Sequence, residues 1–161
     1  MKRLEGVANI AVIVAAFVFV AVVVRSEFTK RGTAPPSDLI GRRIELPGIQ
    51  FPKSNKSLVI VVSTVCHFCK ESLPFYRDLS IQLRGKMDVI AVLPEPQPEA
   101  QAFIREADIS AAQTVSASLN SIGVSGTPTL LLLDKDGTVE RVWLGKLDAK
   151  RRQEVLSVVS Q

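Results

Sequence analysis

Leu58-Val59-Ile60-Val61-Val62-Ser63 runs without a charge into Thr64-Val65-Cys66-His67-Phe68-Cys69, and the chain is best read outward from that join. A continuous branched apolar run suits a central strand covered on both faces; a half-exposed strand would alternate. Past Cys66 the spacing changes: Phe68, Phe75, Tyr76, Leu79 and Leu83 fall on one side of a helix reaching about Leu83. Pro74 lies within that helix, where a proline is expected to produce a kink. The two cysteines therefore stand where a buried strand gives way to a helix N-terminus.

These are the only cysteines among 161 residues. A disulfide-stapled scaffold needs several pairs spanning long loops, so it is excluded. A bridge between residues three apart closes too short a loop to stabilise much by chain entropy, and its use must lie in its chemistry. Unpaired N–H groups and the helix dipole favour a thiolate at the first cysteine. Such placement lowers a thiol pKa from about 8.5 into the range of about 3.5 to 7.5. Cys66 is the expected nucleophile, and Cys69, one turn later, is expected to resolve the mixed disulfide that Cys66 forms. His67, the one histidine in the chain, is expected to tune the pair. Phe68 is read as packing under the motif or lining a substrate groove. Glu71 is either a proton relay or a first-turn acid favourable to the helix dipole. Structural zinc needs four ligands, and two Cys and one His do not supply them, so no metal is expected. Covalent haem attachment would need His where Lys70 stands.

Around this centre the pattern alternates. Ile44 to Leu46 reads as a short strand before the turn Pro47-Gly48, and Val89 to Leu93 as a second buried strand. Ala100, Phe103, Ile104 and Ala107 mark an amphipathic helix. Leu130 to Asp134 and Thr138 to Leu144 flank Lys135-Asp136-Gly137 and read as an antiparallel hairpin. Asp148 can cap a last helix ending near Val159. This order predicts an α/β fold with a mixed central sheet. Just before the hairpin, Gly126-Thr127-Pro128-Thr129 puts a proline at the entry of a central strand, which points to a cis peptide bond. Beside the cysteines, Thr127 and Pro128 would then face an extended substrate segment and pair with it as in strand addition.

The N-terminus is of a different kind. From Gly6 to Val24 only Asn9 is clearly polar, and Val7 to Val24 would span roughly 27 Å as a helix at about 1.5 Å per residue. A bilayer core is about 30 Å thick. Residues 1–25 are therefore expected to form one transmembrane helix, an uncleaved signal-anchor, since no small-x-small cleavage site ends the run. Basic residues lie on both sides of it, so charge does not orient it. Residues 26–37 read as a linker, and residues 38–161 as one domain. The net charge is +4, but from Ser26 on there are 17 basic and 15 acidic residues, so that part of the chain is nearly neutral, which gives nucleic-acid binding no support.

With these motifs in place, the chain resembles the thioredoxin-like superfamily, and within it the membrane-anchored or periplasmic redoxin branch of the TlpA and ResA type. The resemblance covers about Leu39 to Val159. It rests on the Cys66-His67-Phe68-Cys69 motif after a buried strand, Pro74, the Gly126-Thr127-Pro128-Thr129 loop, the Asp134-Lys135-Asp136-Gly137 turn and the inserted strand and helix around Val89 to Ala107. It implies a thioredoxin-like αβα sandwich and a thiol-disulfide oxidoreductase that reduces disulfides of exported proteins or acts in cytochrome maturation. It also implies protein thiols or disulfides as substrates, a membrane electron donor or acceptor, an extracytoplasmic soluble domain, a monomer, and no cofactor beyond the Cys66–Cys69 disulfide. Three positions depart from the pattern. Val65 replaces the Trp that commonly precedes the first Cys, Leu58 to Ser63 lacks the buried acid of cytoplasmic thioredoxins, and Ser72 stands where the ResA type often has Glu. The alternatives are a metal or cytochrome assembly chaperone using the two thiols as ligands, and a peroxiredoxin-like peroxidase. The latter's Pro-x-x-x-Thr-x-x-Cys pattern would need proline at Val59.

Overall fold

A computed structural model describes residues 36–51 and 56–160. The anchor of residues 1–25 and nearly all of the 26–37 linker lie outside the described residues. Among the described residues no helix is long and apolar enough to cross a membrane. The last linker positions belong to a 3₁₀ turn, Pro36–Leu39.

Five strands, β1 (Ser57–Val61), β2 (Asp88–Leu93), β3 (Gln113–Ser116), β4 (Thr129–Leu133) and β5 (Val139–Leu144), form one sheet in the order β3-β2-β1-β4-β5. β1 pairs parallel with β2, and β2 with β3; β4 runs antiparallel to both β1 and β5. The apolar run falls at the centre, with Val59 opposite Ile90 on one side and Leu131 on the other. Side chains of a strand alternate between faces. Accordingly Leu58, Ile60 and Val62 join one buried cluster while Val59 and Val61 join the other.

Three helices, α1 (His67–Leu83), α2 (Gln97–Glu106) and α3 (Ala149–Val159), all bury residues in the first cluster. Tyr76, Leu79 and Leu83 of α1 and Ala100 and Ile104 of α2 are buried at helical spacing. Asp148 caps α3 by accepting the N–H of Arg151 at 2.8 Å. The indole N–H of buried Trp143 on β5 donates to Glu154 Oε1 at 3.0 Å, fixing α3 against the sheet edge. The α/β class and the mixed sheet match the expectation. Among the described residues the opposite face is covered by the 3₁₀ turn and irregular chain instead of α-helix: Leu39, Ile44, Leu46, Ile122 and Val124 pack there with Val61 and Leu131.

Two elements differ from the sequence expectation. Ile44 to Leu46 is not a strand. Arg43 makes a single isolated bridge to Thr138 and Ile44 N–H donates to Gly137 O, after which the turn at Pro47-Gly48 leads the chain away. Its alternating burial comes from packing under the sheet, not from a ladder. Gly137 is required here, because at φ +81° a Cβ would come within 2.7 Å of the Phe51 ring. β3 was not foreseen: in Gln113-Thr114-Val115-Ser116 only Val115 is buried, so no apolar pattern marks it. The strand is fixed from outside by Gln97, whose amide donates to Thr114 O at 2.6 Å and accepts from Ser116 N–H at 2.9 Å.

Tyr76 is the largest fully buried side chain, and burial pushes its phenol up to about 12. A raised acid pKa of this kind contributes stability that is intact below the unfolded value of about 10 and is lost as pH rises through the folded value. Denaturant unfolding between about pH 9 and 12 should therefore show a loss on the order of 2 kcal/mol. Tyr76→Phe should lack that component; an equal alkaline loss in the variant would place its origin elsewhere.

Candidate active site

Cys66 is the N-cap of α1, in extended backbone (φ −82°, ψ 115°), and its Sγ accepts the N–H of Cys69 at 3.1 Å. This satisfies one of the donors that a helix start leaves unpaired and points that end of the dipole at the sulfur. The two cysteines are joined as a disulfide, with Cα atoms 5.2 Å apart. They are not equivalent. Cys69 has no exposed surface and belongs to the core cluster, whereas Cys66 is half-buried at its margin.

Across from Cys66 stands the segment entering β4. The β1–β4 ladder ends at Val61 opposite Thr129, and two residues further out Thr127 O lies 3.4 Å from Cys66 Sγ. The Thr127-Pro128 bond is cis, as the sequence predicts, and Pro128 is buried. Thr129 Oγ1 donates to Gly126 O at 2.7 Å and Gly145 N–H to Pro128 O at 2.7 Å, so the loop is pinned from both sides. Val65 and Phe68 project outward, 88% and 56% exposed. Phe68 therefore does not pack under the motif; it stands at the surface beside Cys66 with its ring edge to His67.

His67, its side chain 79% exposed, places Nε2 3.3 Å from Glu71 Oε1, and Lys146 Nζ lies 2.8 Å from Glu71 Oε2. The hydrogen bond from Lys146 holds the Glu71 carboxyl below the usual carboxylate range, with a smaller contribution from His67. A carboxylate held ionised by Lys146 is poorly suited to store a proton, so this geometry orients the His67 ring. Lys146, from the loop after β5, was not foreseen; it is 75 residues from Glu71 and carries no local signal.

Glu95 was also missed. Leu58 to Ser63 carries no acid, but the loop directly after β2 supplies one. Glu95 Oε1 accepts from Ser63 Oγ at 2.6 Å and from Thr64 N–H at 2.9 Å, and Thr64 Oγ1 is 3.1 Å away. Partial burial opposes its ionisation, but these hydrogen bonds outweigh it and hold the carboxyl below the usual range. The available signal was Pro94-Glu95-Pro96, an acid fixed between two prolines directly after a buried strand. Among the described residues no group of three or more His, Cys, Asp or Glu is placed to hold a metal ion.

No protein-family model matches the chain, and no curated protein matches it in sequence. Solved structures do. A thiol:disulfide interchange protein from Bacteroides sp. is 19% identical with a TM-score of 0.54, over 68% of this chain and 76% of that one. StoA from Bacillus subtilis is 18% identical with a TM-score of 0.52, over 66% and 83%. A thiol-disulfide isomerase from Corynebacterium glutamicum is 19% identical with a TM-score of 0.52, over 76% and 83%. The fold is thioredoxin-like. Within that fold the dithiol occupies the end of the sheet where β1 and β2 finish and β4 begins. Directly before the first cysteine, Val65 leaves a small apolar surface open to solvent.

If Lys146 is the main cause of the acidic shift at Glu71, Lys146→Met should return the Glu71 carboxyl toward its ordinary value of 4.5 in a carbon-detected NMR titration. An unchanged midpoint would show that the contact does not persist in solution.

Proposed function

We propose that this chain is a thiol-disulfide oxidoreductase that works through the Cys66/Cys69 pair on protein thiols and disulfides. One observation carries the reading: two cysteines bridged across the first turn of a helix, one accessible at the N-cap and the other wholly buried behind it. A scaffold disulfide has no need of that asymmetry, but sequential exchange does. The similarity to thiol:disulfide interchange proteins supports the same chemistry.

In the reducing direction the Cys66 thiolate attacks one sulfur of a substrate disulfide, and the other sulfur leaves as a thiolate that takes up a proton. Cys69 then gives up its proton and attacks Cys66 Sγ. The Cys66–substrate bond breaks, the second substrate thiol is released, and the Cys66–Cys69 bond forms. The substrate gains two electrons and the protein loses them; an external dithiol must restore the reduced pair. Thr127 O beside Cys66 Sγ, with exposed Val65 and Phe68, gives an extended polypeptide both backbone and apolar contact at the reacting sulfur.

In the same reading residues 1–25 tether the domain to a membrane on its extracytoplasmic side. The substrates are then disulfides of exported proteins or of cytochromes under assembly, and a membrane dithiol is the electron donor. The apolar length of Val7 to Val24 supports the tether.

Cys69→Ser should accumulate covalent mixed disulfides with partner proteins, visible as reductant-sensitive bands on gels, while Cys66→Ser should form none. Equal trapping by both variants would contradict the assigned roles.

A further inference from the structure

The two residues that lead into Cys66 are held by a carboxylate that the exchange steps do not use. Glu95 Oε1 takes the hydroxyl of Ser63 and the N–H of Thr64. The Thr64 hydroxyl lies within reach of both Glu95 Oε1, at 3.1 Å, and Glu99 Oε1, at 3.2 Å, but has a single proton to give. The other oxygen, Glu95 Oε2, is buried and has no hydrogen-bond partner among the described residues. An unpaired buried carboxylate oxygen is costly, so its retention beside the reactive turn calls for a physical account.

Among the described residues the ion pairs engage Glu71, Asp78 and Glu140, none of them Glu95, and the neighbouring acid Glu99 has the same sign. Thr64 is two residues before Cys66, so chain connectivity alone keeps the carboxylate within about 12 Å of Cys66 Sγ. At that distance and an effective dielectric of about 20, one charge changes a thiol–thiolate equilibrium by about tenfold. The His67 imidazole is exposed to solvent and faces the Glu71 carboxylate.

We propose that Glu95 is a positioning residue whose fixed charge disfavours the Cys66 thiolate and makes the Cys66/Cys69 pair a reductant. The proposal rests on the oxidoreductase reading and supplies its direction. In exchange with glutathione, the reduced pair passes two electrons to glutathione disulfide, giving two glutathione thiols and the Cys66–Cys69 bond. The less the thiolate is stabilised, the further this runs toward oxidised protein. Glu95 thus opposes the helix N-terminus at the same sulfur.

The test is a glutathione redox titration of the full-length protein, together with the ultraviolet thiolate absorbance of the reduced form against pH. Glu95→Gln keeps an acceptor for Ser63 and Thr64 but removes the charge. It should move the equilibrium toward the reduced form by about threefold to tenfold, or about 15 to 30 mV, and lower the Cys66 midpoint. Ser63→Ala removes a hydrogen bond from the turn while keeping the charge, and should leave the equilibrium where it was. A Glu95→Gln protein with unaltered equilibrium and midpoint overturns the proposal, as does an equal shift in Ser63→Ala. Should Glu95→Gln fail to fold, the unaltered protein decides: a Cys66 midpoint above about 7 agrees, and one below that value contradicts. A native protein whose cysteines do not equilibrate with glutathione at all would instead refute the oxidoreductase reading.

Discussion

An α-helix begins with backbone N–H groups that its own turns cannot satisfy. In this chain the sulfur of Cys66 takes up one of them, and the rest of the site depends on that placement. The N-cap holds the sulfur at the domain surface, while helix geometry puts Cys69 one turn later on the core side, where no solvent reaches it. Unequal exposure, and with it a division of roles, follows from capping the helix with cysteine. Serine or aspartate would cap equally well. The use of cysteine there reflects chemistry and not helix stability.

The sheet supplies everything that surrounds the cap. Because β1 and β2 are parallel and β4 is antiparallel to β1, the ends of β1 and β2 and the start of β4 meet at one edge. β5 pairs with β4 so that Leu144 lies opposite Thr129, which brings Lys146 to the same edge. Each strand end contributes one group: Thr127 against the sulfur, Glu95 against the turn before it, Lys146 against Glu71. As proposed above, the helix start and Glu95 exert opposed electrostatic influences on Cys66. The helix start favours a thiolate and Glu95 opposes one. On that proposal the working potential follows their difference, while the exposed His67 imidazole faces Glu71.

What could be read from the sequence was what is local. The central strand, the cysteines at its exit, the cis bond at Pro128 and the Asp148 cap each show in a run of a few residues whose chemistry has few other uses. Elements defined by distant partners did not show. β3 has one buried residue and is held by Gln97, so no periodicity announces it. Ile44 and Leu46 alternate like a strand yet lie beneath the sheet without joining a ladder. Lys146 and Glu95 act on α1 and on the turn before it from 75 and 31 residues away, across contacts that only the folded sheet creates. Phe68 follows the helical apolar pattern but faces out, because at the first turn of α1 Cys69 and not Phe68 occupies the core side.

The central claim, that the strand-to-helix junction makes one thiol reactive and hides the other, is tested most directly by limited alkylation. The fully reduced protein is treated with less than one equivalent of iodoacetamide at neutral pH, and the modified peptide is located by mass spectrometry. The account predicts that nearly all of the label is on Cys66. Comparable labelling of Cys66 and Cys69, or labelling mainly of Cys69, would contradict it.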